Sequence, residues 1–246
     1  MFLAQSAIIK PLSSQALLSF NMQNIDTLFP GFMLGDFAVI HGLPHVLTLS
    51  LLLAVRAQLP CQLGGLGSSV VFVDGGNTFR LYKVSRLARL HHLRPKDVLR
   101  RIFISRAFTM HQMTSIIFES LEEATKKHDA RLVIISDFQG LYMDKDVRPE
   151  ESKEVFSQVT AQVSEFAKEN DAIVLATCLP HYYCRRSAFL HAVACARSSV
   201  TISITKKRNY PFGRQFALEK HPFFKLGSVD FPSENLTLND FVTGGQ

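Results

Sequence analysis

Apolar residues fall into short, nearly unbroken runs of strand length at 37–40, 70–74, 102–105, 132–136, 173–176 and 200–205. Between most of these runs the apolar positions recur at helical spacing, over 49–58, 81–91, 111–127 and 151–169. The last of these places Val155, Val159, Val163 and Phe166 on one stripe. Strand alternating with helix predicts an α/β fold: a mostly parallel central sheet with crossover helices on both faces and functional residues at the C-terminal strand ends. Turn-forming stretches separate the elements, "LGGLGSS" at 63–69, "RPKD" at 94–97 and "LPHYYCRRS" at 179–187. Past Lys206 the pattern changes to that of a C-terminal β-hairpin turned at 209–213, and the final "TGGQ" reads as frayed. Phe20, Phe29 and Phe32 near the start are expected in the core.

Composition adds little to this fold but narrows the setting. A chain of 246 residues, 47% hydrophobic and 20% charged, can bury a full core in one domain. The net charge of +6 favours a polyanionic partner. Four cysteines form no C-x-x-C pair and no secretory leader opens the chain, so a reduced, cytoplasmic protein is expected. No apolar run is long enough to span a bilayer, and no membrane association is expected.

One junction suggests chemistry. In "FAVIHGLPHVLTLS" (37–50) an apolar strand meets a glycine, a short loop and an apolar helix, the layout of a phosphate-binding loop. Such a loop requires G-x-x-x-x-G-K-[ST]. Lysine neutralises the β- and γ-phosphates, and the hydroxyl holds magnesium. Starting at Gly42 the window reads "GLPHVLTL", with Leu47 in the second glycine's place, Thr48 in the lysine's and Leu49 in the Ser/Thr place. Moving the register by one restores no cation. Pro44 removes a backbone donor, and Leu47, Leu49, Leu51 and Leu52 are expected to fill the space of a nucleotide.

Three further segments carry a family resemblance: "AQLPCQLGGLGSSVVFVDGGNTFRLYKVSRLARLHHLRPKDVLRRIFISRAF" (57–108), "ARLVIISDFQGLY" (130–142) and "HAVACARSSVTISITKKRN" (191–209). Together they resemble the RecA/RadA recombinase ATPase core, closest to archaeal RadA and its paralogues, over roughly residues 24–231 in consistent order. The resemblance implies a RecA-like core at 24–246 behind an extension at 1–23, without the family's N-terminal helical DNA-binding domain. The family's F-x-x-A protomer hook has no counterpart before the core, and "FLHA" at 189–192 lies inside it.

Carried across residue by residue, the resemblance places Gly76 of "DGGNTFR" at the water-activating glutamate. Ser136 falls at the magnesium-associated aspartate, with Asp137 one residue late, which on a strand points to the other face; a bulge at the strand end would bring Asp137 back. Cys178 stands at the polar sensor, and Lys220 at the acidic residue that caps a neighbour's nucleotide. Each group lost from phosphoryl transfer commonly costs on the order of 10³-fold. No catalytic residue and no nucleotide cofactor are therefore expected.

The remaining clusters are weighed against ordinary surface and core roles. Cys178, His181, Cys184, His191 and Cys195 could supply zinc ligands, but C-x₂-H-x₂-C matches no common finger and no metal is expected. His91, His92, Arg94, Lys96, Arg100 and Arg101 read as solvated charge. "HYYCRRSAF" stands where the family's second DNA-binding loop lies, so Tyr182, Tyr183, Arg185 and Arg186, together with Lys206, Lys207 and Arg208, are the candidate DNA contacts. The acidic "MDKDVRPEES" (143–152) reads as a turn and helix cap. The expected function is that of a non-catalytic accessory paralogue in homologous recombination and repair, binding a RadA-type recombinase or another paralogue and single- or double-stranded DNA. The alternatives are a divergent DNA-dependent ATPase, using Asp137 for magnesium and Lys206 or Lys207 as the cation, and a KaiC-like scaffold without a DNA role.

Overall fold

The structure, a computed structural model, describes residues 17–179, 184–207 and 213–231. In chain order the elements are β1 (Leu17–Leu18), α1 (Gln23–Leu28), β2 (Phe32–Met33), β3 (Phe37–Gly42), α2 (His45–Arg56), β4 (Ser69–Asp74), α3 (Leu81–Leu90), α4 (Pro95–Arg100) and β5 (Ile102–Arg106). There follow α5 (Met110–Ser115), α6 (Leu121–Lys127), β6 (Ala130–Ser136), α7 (Pro149–Glu169), β7 (Ile173–Cys178), α8 (Arg185–Arg197), β8 (Val200–Lys206), β9 (Arg214–Lys220) and β10 (Gly227–Phe231).

Eight strands form the central sheet in the order β10-β9-β8-β3-β7-β6-β4-β5. From β8 to β5 the neighbours are parallel, and β8-β9-β10 continue antiparallel. This is the architecture of a RecA-like core with a C-terminal hairpin. Alternate residues of each central strand supply two separate cores. Ala38, Ile40, Phe72, Ile134 and Leu175 pack with α2 and α3, while Val39, Val73, Ile135 and Ala176 pack with α5, α7 and α8. Both sheet faces are covered, which is why the strands read as continuous apolar runs rather than as alternating ones.

Every expected strand forms, extended by a residue or two. The helices differ more. Helix α2 begins at His45 rather than 49, because Pro44 has φ −55° and the chain turns helical at once. The "RPKD" turn forms α4, with Pro95 in its first turn. The expected loop at 179–187 ends early, since α8 starts at Arg185. Over 111–127 a π-type turn at 116–120 divides α5 from α6. On α7 the buried stripe runs through Phe156, Val159, Val163 and Phe166, leaving Val155 on its flank.

Residues 17–22 belong to the packed domain rather than to an extension. Leu18 and Phe20 are fully buried, and Phe20 meets Phe32 and Phe216 of β9 with ring centroids 5.6 and 5.7 Å apart. Phe29 completes the cluster 4.8 Å from Phe32. Among the described residues no helix is long and apolar enough to cross a membrane.

Candidate functional site

Gly42 closes β3 at the C-terminal edge of the sheet with φ +114°. A Cβ there would stand 2.2 Å from the Ile204 carbonyl oxygen of β8, so this glycine is required by close strand packing. Leu43 and Pro44 alone separate β3 from α2. The amides of Val46 and Leu47 donate at 3.1 Å to the carbonyls of Leu43 and Pro44, closing the first helical turn in the stretch where a phosphate loop would present free N–H groups. Leu49, Leu51 and Leu52 do not plug a nucleotide space: they sit in the core beneath the sheet with Ile40 and Phe72, and Leu47 alone is partly buried. A cation does reach this point. Lys83 Nζ, from the first turn of α3, donates to Thr48 Oγ1 at 2.9 Å. No loop motif signals Lys83, since the packing of α2 on α3 brings it there. Lys207 is engaged elsewhere, 2.7 Å from Asp230 of β10.

Asp74, at the end of β4, organises the adjoining turn. Its fully buried carboxylate accepts from the Thr78 amide at 2.7 Å, the Thr78 hydroxyl at 3.2 Å, the Phe79 amide at 3.3 Å and the Ser136 hydroxyl at 3.0 Å. Arg106 of β5 lies 3.2 Å away. Burial works to raise this carboxyl's pKa, but the hydrogen bonds from Thr78, Ser136 and Phe79 together outweigh burial and hold it below the usual range. Ser136 thus spends its hydroxyl on Asp74.

Asp137 departs from the simple strand alternation expected of it. Its φ is +49°, a left-handed bend at the end of β6, with its amide donating to Thr177 Oγ1 at 3.0 Å. The bend brings the side chain against two glycines. A Cβ on Gly76 would lie 2.9 Å from Asp137 Oδ2, and one on Gly140 2.3 Å from the same oxygen. The Asp137 carboxylate, arriving from β6, therefore lies against the backbone of Gly76 and Gly140. Buried Cys178 ends β7 beside this edge, its thiol pushed up by burial, with Cys195 and Asp137 adding to the effect.

The parallel strands thus line up Gly42, Asp74, Ser136 with Asp137, and Cys178 along one edge of a RecA-like sheet. A family model described as Rad51 matches residues 23–179, a span from α1 through the end of β7. The chain belongs to the Rad51 family. Membership points to a recombinase-like role in recombination and repair, with partners of the kind that recombinases and DNA provide.

In this Rad51-family chain the candidate DNA residues separate. Tyr182, Tyr183 and Arg208 lie outside the described residues, as does His181 of the cysteine and histidine cluster. Arg185 and Lys206 are exposed. Arg186 is turned inward: Nη1 donates to the carbonyls of Asp144 at 3.0 Å and Val147 at 3.2 Å, and Nε to Ser152 Oγ at 3.2 Å. It ties α8 to the 143–152 turn and is withdrawn from phosphate contact. Arg186→Ala is expected to lower stability by about 1–3 kcal/mol in urea unfolding, while Arg185→Ala stays within about 0.5 kcal/mol of the parent. Equal effects would refute the separation.

Proposed function

We propose that this Rad51-family chain acts as a non-catalytic accessory protein in homologous recombination, presenting a nucleotide-independent RecA-type face to a recombinase or paralogue and touching DNA through Arg185, Lys206 and the neighbouring loops. The observation that carries the proposal is the junction at Leu43 and Pro44. Without lysine or a second glycine, and with the Val46 and Leu47 amides committed to helix, the junction offers a triphosphate little of what binds it. Exposed Leu81 and Tyr82 open α3 just after the Asp74 turn, and exposed Phe108 follows β5 on the same edge; these apolar side chains suit a partner-facing surface.

Isothermal titration with ATP and Mg²⁺ is expected to give no heat of binding, and the purified chain no DNA-stimulated hydrolysis. Hydrolysis that depends on magnesium and DNA overturns the proposal. In a salt-dependent gel shift, Arg185→Ala is expected to weaken DNA binding, and an unchanged shift would favour a scaffold without a DNA role.

A second reading rests on Asp137 beside Gly76 and Lys83 beside Thr48: a divergent ATPase whose cation and acid come from different chain positions. Under it, Lys83→Ala and Asp137→Asn would each abolish a measurable turnover. Without any turnover in the parent, this reading fails.

A further inference from the structure

One group of metal-ligating side chains gathers at the same end of the sheet as Gly42 and Cys178, from β3 and α8 with a carboxylate from β9. His41 is the penultimate residue of β3 and shares its sheet face with Val39, which packs beneath α8. His191 and Cys195 are separated by one helical turn on α8 and so present their side chains on one side of it. The His41 and His191 rings meet edge to face with centroids 4.3 Å apart, and Cys195 Sγ lies 3.4 Å from His191 Nε2. One ligand atom from each of the three lies within 4.8 Å of the others. Glu219 of β9 adds a carboxylate, its Oε2 2.9 Å from His41 Nε2.

We infer that His41, His191 and Cys195 form a binding site for a divalent zinc-class ion, with Glu219 as its charge-balancing carboxylate. Imidazole nitrogen and thiolate sulfur are both ordinary zinc ligands, and with the carboxylate they make four donors, the number a closed tetrahedral site requires. Ligand bonds of about 2.0–2.3 Å in a tetrahedron place donors about 3.3–3.7 Å apart, so the group closes on an ion through side-chain movements of roughly 1 Å. The charges also match. One thiolate and one carboxylate neutralise a dication, which matters where His41 is almost wholly buried. The carboxylate on a histidine ring nitrogen is the partner arrangement that commonly orients a metal-bound imidazole. His191 and Cys195 are only half-buried, leaving an approach from solvent along α8. The ion would clamp α8 to β3 and, through Glu219, to β9, next to Gly42. Spacing within the chain brings His191 and Cys195 together with Cys178, His181 and Cys184 as possible ligands, but it could not disclose the site, because His41 comes from β3, far away in sequence.

Cobalt(II) replaces zinc in such sites and reports its ligands by absorption. Titrating the purified full chain with Co²⁺ is expected to give one ion per chain, with tetrahedral d–d bands and a near-ultraviolet thiolate charge-transfer band, both abolished when Zn²⁺ displaces it. Cys195→Ser is expected to remove the charge-transfer band, whereas Cys61→Ser and Cys184→Ser keep it. His41→Ala and His191→Ala should each weaken Co²⁺ binding by about 10-fold or more. A folded parent without the band, or a band that survives Cys195→Ser, overturns the assignment. Should Cys195→Ser fail to fold, alkylation of the parent decides: Zn²⁺ is expected to slow labelling of Cys195, and unchanged labelling refutes the site.

Discussion

Arg56→Ala is expected to remove about 3–5 kcal/mol of stability, a large part of what a domain of this size possesses. Arg56 is the last residue of α2 and is 1% exposed. Its Nε donates to the Ser19 carbonyl at 2.6 Å, and its Nη2 to Ser19 Oγ at 3.0 Å, the Leu63 carbonyl at 2.7 Å and the Gly64 carbonyl at 3.3 Å. One guanidinium therefore joins the N-terminal segment, the end of the central helix and the turn after it. Burial lowers its pKa to about 10, with Asp26 acting in the opposite sense, so the group remains charged at neutral pH. Alanine would leave three carbonyls without this donor and a cavity where the side chain lay. Arg56→Met keeps much of the volume and isolates the polar part of the loss. Urea midpoints for the three proteins check this: an alanine variant within about 1 kcal/mol of the parent would show that the buried guanidinium is not what holds residues 17–22 to the domain.

Asp26, which faces Arg56, has its carboxyl pushed up to about 6, chiefly by burial, while Arg56 and the backbone amides of Met22, Phe20 and Asn21 pull it down. A folded pKa above the unfolded value means that the folded chain holds the proton more tightly. The contribution of Asp26 to stability is therefore fully present below about 4 and lost as the pH rises through about 6.

The sheet was legible because both of its faces are covered. Runs such as "VVFVD" and "LVIIS" have nowhere to lie but the middle of an α/β fold, and their spacing by helix-length segments compels parallel crossovers. The helix starts were harder to read. Whether Pro44 opens a loop or the first turn of a helix depends on the Ile204 carbonyl, which binds the Leu43 amide at 2.9 Å from a strand more than 150 residues away in sequence. Arg186 reads as a DNA contact by its place beside aromatics, yet its fate is set by the carbonyls of Asp144 and Val147. Lys83 and His41 illustrate the same limit. Each acts through a partner brought close by packing, and no local pattern encodes that meeting. Asp137 was legible as a candidate, but only the left-handed bend, with Gly76 and Gly140 making room, decides where its carboxylate goes.

Asp74→Ala is the second large effect expected, again about 3–5 kcal/mol, and it bears directly on what the "DGGNTFR" turn is for. Removing this carboxylate strands the Thr78 and Phe79 amides, the Ser136 hydroxyl and the Arg106 guanidinium around a side chain with no exposure of its own. Asp74→Asn keeps one acceptor oxygen but turns an NH₂ group toward donors, so it should recover only part of the loss. Because hydrogen bonds depress the pKa of Asp74 in the folded chain, its contribution is present above the ordinary aspartate value near 3.8 and is lost as the pH falls through the lower folded value. Asp74→Asn should flatten that acid limb. Hydrogen exchange at the Thr78 amide gives a local readout, expected to accelerate in both variants. Asp137→Asn supplies the contrast, since that carboxylate lies in space left by two glycines while the Thr78 and Phe79 amides donate to Asp74. If Asp74 variants lose stability while Asp137→Asn unfolds near the parent midpoint, the turn is architecture organised by Asp74 and not by Asp137. Equal losses would mean that Asp137 is itself part of the scaffold, and the divergent-ATPase reading, which gives it a chemical role, would lose its support.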